Sequence, residues 1–208
     1  MTEATTTANT DAPASRSSRD KLLASALACF DEHGLTGMTI EQIRRQANSS
    51  IGSLYHHFGN REGLIAALFL QLLDDQLAWS RTAIDAATTP YETLHALIHG
   101  YLDWVTHHPV EARFMYAARS EVARGENAAA LKEKNRQRIG LLLAVLKAGI
   151  KSGSIRSLPP ETFASLLVGP SENYCRAWLA DRVQGKPVAH ADVFVDAAWR
   201  AISATPCE

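Results

Sequence analysis

Apolar residues recur along the chain at steps of three and four, the spacing of one helical face, and no stretch alternates as a half-buried strand would. Leu22, Leu23, Ala26, Leu27 and Phe30 form the first stripe. They predict a helix over residues 18–33, capped by Ser18 and closed by Gly34 with the apolar Leu35 behind it. Ile40, Ile43 and Ala47 share the face of a short second helix, where Thr39 and Gln42 have the spacing of a capping box. Asn48 and Ser49 interrupt the pattern, and Asn tolerates the left-handed backbone that a sharp turn needs. Ser50 caps a third helix, which turns Leu54 and Phe58 inward. Asn60 caps a fourth, with Leu64, Ile65, Leu68, Leu72 and Leu73 on its inner face.

The rest reads the same way. Pro90 opens a helix through Leu94, Leu97, Ile98, Tyr101, Leu102 and Val105, which ends at His107, His108 and Pro109. Further helices are predicted over residues 110–123, 128–152, 160–181 and 191–202. Leu131, Ile139, Leu142, Leu143, Leu146 and Ile150 mark the long third-last one, and Gly153 with Ile155 ends it. The helix over 160–181 should kink where Gly169 meets Pro170. The expected fold class is all-α.

Helix, short turn, helix over residues 39–58 is the geometry that presents a second helix to the DNA major groove. The outer face of that second helix carries Ser50, Gly52, Ser53, Tyr55, His56 and His57. Gly52 costs about 1 kcal/mol against Ala inside a helix, and close approach to a nucleic-acid backbone would offset that. Hydroxyls, a phenol and imidazoles can donate to phosphates and base edges. A solvated helix with scattered polar residues is the competing reading.

Four pieces carry a resemblance: RDKLLASALACFDEHGL at 19–35, TIEQIRRQAN at 39–48, SIGSLYHHF at 50–58 and NREGL at 60–64. Over about residues 18–77 the chain resembles the DNA-binding domain of TetR-type transcriptional regulators. Two positions depart from the family pattern. Relatives usually have an apolar residue at Ser49 and often Gly at Asn48. Ile51 stands where relatives are often basic or polar; it either touches a thymine methyl or turns inward to replace packing missing at Ser49. The resemblance implies three parts: an N-terminal tail over 1–17, a helix–turn–helix DNA-binding domain over 18–77, and a helical ligand-binding and dimerisation domain over 78–208. Thr39, Ser50, Ile51, Gly52, Ser53, Tyr55, His56, His57 and Arg61 are the expected DNA contacts, with Tyr55, His56 and Arg61 on phosphates. The alternative for Arg61 is an ion pair with Glu62 or a solvated side chain. Arg16 and Arg19 stand where family members extend arms to DNA, although a solvated tail is the better reading.

Composition changes this little. Among 208 residues the formal net charge is −1, which argues against bulk attraction to a polyanion but suits a small local footprint. Cys29, Cys175 and Cys207 are odd in number and far apart, so no disulfide framework or paired metal motif is visible. Neighbouring His56 and His57, or His107 and His108, point about 100° apart on a helix and do not chelate from one face. No signal pattern or membrane-length apolar run stands out, and the expected location is cytoplasmic, with no membrane partner. No nucleophile elbow, phosphate loop or HExxH appears, so the chain is read as a non-enzyme without cofactor.

Two sites remain. Tyr101, Trp104, Phe114, Met115, Tyr116, Tyr174 and Trp178, with Arg119, Glu172 and Cys175, either line a cavity or fill a core. The resemblance favours a small-molecule pocket; the aromatics suit a hydrophobic or aromatic effector and Glu172 a cation. The last two helices carry more apolar surface than one packing face needs, and the resemblance makes Phe163, Leu167, Leu179, Phe194, Ala198 and Trp199 candidates for a homodimer interface. The resulting expectation is a repressor released from a palindromic operator by a small molecule. Alternatives are an activator or ligand-independent regulator of the same fold, a ligand-binding helical protein that no longer reads DNA, or a helical enzyme.

Overall fold

A computed structural model describes residues 17–204. Most of the expected tail, with Arg16, and Cys207 lie outside the described residues, as does the side chain of Ile139. Ten α-helices run through the described residues: α1 (Ser18–Gly37), α2 (Ile40–Gln46), α3 (Ile51–Phe58), α4 (Arg61–Ala86), α5 (Pro90–His107), α6 (Pro109–Arg124), α7 (Ala128–Ser152), α8 (Phe163–Leu167), α9 (Gly169–Leu179) and α10 (Ala191–Ile202). No strand appears among the described residues; a single antiparallel bridge joins Ile155 to Ser203.

The first three helices form a small unit around Leu22, Leu23, Ala26, Ile43 and Leu54, each at most 1% exposed. Their ends are set locally. Thr39 and Gln42 make the predicted capping box, and Ser50 accepts the Ser53 N–H. Asn48 takes the left-handed turn conformation, with φ of 47°. Ser17, not the expected Ser18, caps α1, accepting the Asp20 N–H at 3.1 Å. The Ser18 hydroxyl lies instead 3.0 Å from that of Ser53, which pins the start of α1 to α3. The first helix was expected to end at residue 33. It breaks its helical geometry at Gly34, with φ of 68°, and resumes for one turn.

The fourth helix starts pressed against the end of α3. A Cβ on Gly63 would lie 2.0 Å from the Phe58 carbonyl oxygen, so glycine is what permits the junction. From there α4 runs unbroken through residue 77, the expected domain limit, and packs on both α5 and α6. The sixth helix also packs on α1, so the small unit is held by two elements of the larger one. The helix expected over 160–181 divides into a 3₁₀ turn (Pro160–Thr162), α8 and α9, because Pro170 lacks the N–H that would continue α8.

Candidate functional site

On α3 a single side chain, Leu54, is fully buried, and it clamps the helix to the core. Gly52, His56 and His57 are exposed, and Tyr55 is 50% exposed. Ile51, whose orientation the sequence left open, is 48% exposed and faces outward. Nothing inside the subunit requires Gly52: a Cβ there would meet the Ser50 hydroxyl at 3.9 Å, an ordinary contact. Thr39 and Ser50 serve as caps, and Ser53 is half-buried against Ser18.

The turn beneath α3 has a brace that the apolar pattern did not reveal. Glu41 holds Arg44 at 2.6 Å and Arg45 at 2.8 Å, and Arg44 also donates to the Ser49 carbonyl at 3.4 Å. A charged clamp thus spans the turn at Ser49. Hydrogen bonds from Arg44 first, then Arg45, hold the Glu41 carboxyl down at about 2.

Arg61 has partners other than those expected. Its guanidinium donates to the carbonyls of Leu35 and of Met38 (3.4 Å), and sits 3.4 Å from the Glu121 carboxylate on α6. It is not paired with Glu62 and not free in solvent. A second ion pair, Arg113 with Asp31 at 2.8 Å, joins α6 to α1. Between these two anchors α6 carries Met115, Tyr116 and Arg119.

Those three line a cavity of about 410 Å³ enclosed by helices from α4 to α9. Of the expected ligand residues, Tyr101, Trp104, Met115, Arg119 and Glu172 line it. Phe114 does not: it is fully buried, edge-on to Phe30 at 5.2 Å. Tyr174 is taken by Phe194 and His190 and donates to the Gly185 carbonyl at 2.9 Å. Trp178 packs half-buried elsewhere. Cys175 is buried behind the wall, beside the bonded hydroxyls of Tyr101 and Tyr116. Burial lifts both phenols above their ordinary value and pushes the Cys175 thiol up to about 12, so this node is uncharged at neutral pH.

The sequence reading missed the α4 wall, formed by Phe69, Leu73, Gln76 and Ser80. A signal was there: polar Gln76 and Ser80 continue an apolar stripe at steps of three and four, yet each is 6% exposed. The expected dimer set divides. Phe163 (4% exposed), Leu167 (1%) and Ala198 (3%) are packed within the subunit and offer little surface to a partner. Leu179, Phe194 and Trp199 stay half-buried, next to Val193, which is 65% exposed.

Known proteins share this arrangement. Residues 22–68 match the profile of bacterial regulatory proteins of the tetR family. The transcriptional repressor KstR2 of Mycobacterium tuberculosis is 30% identical over 140 residues, 67% of this chain and 70% of the relative. The chain belongs to the tetR family. It is a DNA-binding transcriptional regulator, and that relative by sequence is a repressor. Solved structures extend the likeness of fold past the first four helices. A TetR family transcription regulator from Marinobacter aquaeolei superposes with a TM-score of 0.75 at 19% identity, covering 89% of this chain and 95% of the other. FadR from Bacillus subtilis, solved in complex with stearoyl-CoA, superposes with a TM-score of 0.73 at 18% identity, covering 86% and 96%.

Proposed function

We propose that this chain is a homodimeric repressor that binds a palindromic operator and is released when a small apolar molecule enters the 410 Å³ cavity. One observation carries the reading. The outward face of α3, with a glycine that its own subunit does not need, is tied mechanically to an apolar cavity through α4 and α6. Ser50, Ile51, Gly52 and Ser53 face the groove, while Tyr55 and His56 take phosphates. FadR's complex with stearoyl-CoA supports an effector with a large apolar part in a helical regulator of this fold.

The release follows from α6. It is held to α1 by the Arg113–Asp31 pair and to the start of α4 by the Glu121–Arg61 pair, and the stretch between them lines the cavity. A ligand that fits one position of α6 better than another biases the spacing of the two reading helices by that difference in affinity. The dimer forms through the half-exposed apolar residues of α9 and α10, Leu179, Val193, Phe194 and Trp199, and its two-fold axis sets the operator's symmetry.

Selection of bound sequences from random duplex DNA at fixed near-physiological salt tests this, since salt controls the non-specific background. Enrichment of a palindrome, with ligand-dependent loss of binding to it, is expected. A folded, dimeric protein that enriches no sequence would sink the reading.

A further inference from the structure

Among the described residues that line the cavity, Arg119 carries the one positive charge and Glu172 the one negative charge. The remaining wall is aliphatic, aromatic or neutral polar, and the Tyr101–Tyr116 node stays uncharged. Any ionic recognition of a ligand must therefore occur where Arg119 and Glu172 stand. Their own contact is loose. The closest nitrogen and oxygen are 3.8 Å apart, beyond hydrogen-bond distance, and the Arg119 side chain is 57% exposed against 31% for Glu172. A guanidinium has a planar fork matched to two oxygens of a carboxylate or phosphate, and this carboxylate does not engage it that way.

The neighbourhood tips the balance of charge. Arg176 follows Glu172 by one turn of α9, and its guanidinium lies 4.1 Å from the centre of the Tyr116 ring. Arg176 does not itself line the cavity, but its guanidinium on Tyr116 and that of Arg119 beside Glu172 set two positive charges against one carboxylate near the rim. That favours an anion, contrary to the cation that Glu172 alone suggested. The cavity behind it is apolar. At about 30 Å³ per water-sized group, 410 Å³ accommodates roughly 14 such groups.

We infer that the effector is an anionic amphiphile: an apolar body fills the cavity and its acidic head takes the Arg119 fork at the rim, displacing Glu172. The inference rests on the effector-cavity reading above. The head is either a free carboxylate or a phosphate-bearing conjugate of the acyl group, which share this recognition. Glu172 opposes the anion at close range, so it acts as a selectivity element that keeps Arg119 loosely engaged until the ligand arrives.

Calorimetric titration of the intact protein with tetradecanoate, tetradecanol and tetradecylamine, each below its aggregation concentration, tests the inference. The acid should bind at least tenfold more tightly than the alcohol, and the amine most weakly. Arg119→Gln should erase the acid's advantage by weakening the acid far more than the alcohol, whereas Glu172→Gln should strengthen acid binding. Both side chains are substantially exposed, and circular-dichroism melting verifies that the variants fold. Tetradecanoyl-CoA separates the two sources of the head: tighter binding than the free acid identifies a conjugate, weaker binding the free acid. Equal affinity for acid and alcohol, or an acid preference that survives Arg119→Gln, overturns the anionic head and leaves the effector cavity standing. Failure of the folded protein to bind any of the compounds overturns both.

Discussion

The helix proposed to read DNA and the cavity solve opposite problems. Five of the eight residues of α3 are exposed, and the helix is held by the buried Leu54, the half-buried Phe58, its caps and a bond to Ser18. The cavity wall instead draws side chains from residue 69 to residue 172 and keeps them inside. A surface that meets a long polymer can be built from one contiguous segment, because the partner brings its own order. An interior site has to be assembled from helices far apart in the chain, since each contributes only one stripe. The difference says where each region is fragile.

The largest effect should come from removing the anchor of the contiguous region. Leu54 is fully buried, and Leu54→Ala should cost roughly 2–5 kcal/mol. Thermal denaturation measures it; operator binding should vanish with the loss of the small unit's fold. A loss below 1 kcal/mol would mean that the caps, not the leucine, hold α3.

In the assembled region the equivalent weak point is a crossing. A Cβ on Gly100 of α5 would lie 2.7 Å from the Ser80 Cβ on α4, at the cavity wall. Rotating the Ser80 hydroxyl away does not relieve that contact. Gly100→Ala should therefore push the helices apart, cost about 1–3 kcal/mol, and weaken effector binding while DNA affinity without effector changes less. A variant with wild-type melting and wild-type effector affinity would show that the wall is not set by this crossing.

This contrast also explains what the sequence disclosed. Capping signals act within four residues, so the Thr39–Gln42 box, the Asn48 turn and the Ser50 cap were readable where they stand. Ser18 was misread because Ser17 caps equally well and a tertiary partner, Ser53, claims the second hydroxyl. Residue type left Tyr101, Trp104, Met115, Arg119 and Glu172, like Phe114, Tyr174 and Trp178, open between lining a cavity and filling a core, and the resemblance favoured a pocket; the first five line one. What separates the two groups is the partner: Phe30 for Phe114 and Phe194 for Tyr174, both distant along the chain. Phe163, Leu167 and Ala198, expected at an interface, are covered within the subunit for the same reason: an apolar stripe does not say which neighbour covers it.

Within the reading face, Tyr55→Ala should weaken binding to every sequence by a similar factor, since a phosphate contact carries no base information. Ser53→Ala should mainly alter sequence preference, with a small stability loss from the broken Ser18 bond. Matching specificity profiles for both variants would remove these role assignments. Effects of roughly 1–2 kcal/mol, five- to thirtyfold in affinity, are expected.

The regions should also differ in their response to pH. Glu41 has its folded-state value lowered from 4.5 to about 2, so its contribution is present above 4.5 and lost as pH falls towards 2. Cys175 has its value raised from 9.0 to about 12, so its contribution is present below 9 and lost as pH rises towards 12. Glu41→Gln should flatten the acid limb of a melting-temperature profile, and Cys175→Ala the alkaline limb. Exchange of those two outcomes would contradict the placement of the groups.

The smallest stability effect should occur at the link between the regions. Arg61 and Glu121 are 26% and 34% exposed, and their pair at 3.4 Å is worth at most about 1 kcal/mol. Glu121→Gln should hardly move the melting curve. It should nonetheless free Arg61 from α6 at the very start of α4, within reach of a phosphate. Operator affinity should then rise by up to about fivefold, and more effector should be needed for release. The two shifts must appear together, because an element that both sites bias cannot favour one without opposing the other. Tighter DNA binding with an unchanged effector response would show that Arg61 only touches DNA; an altered response with unchanged DNA binding would show that it only braces α6.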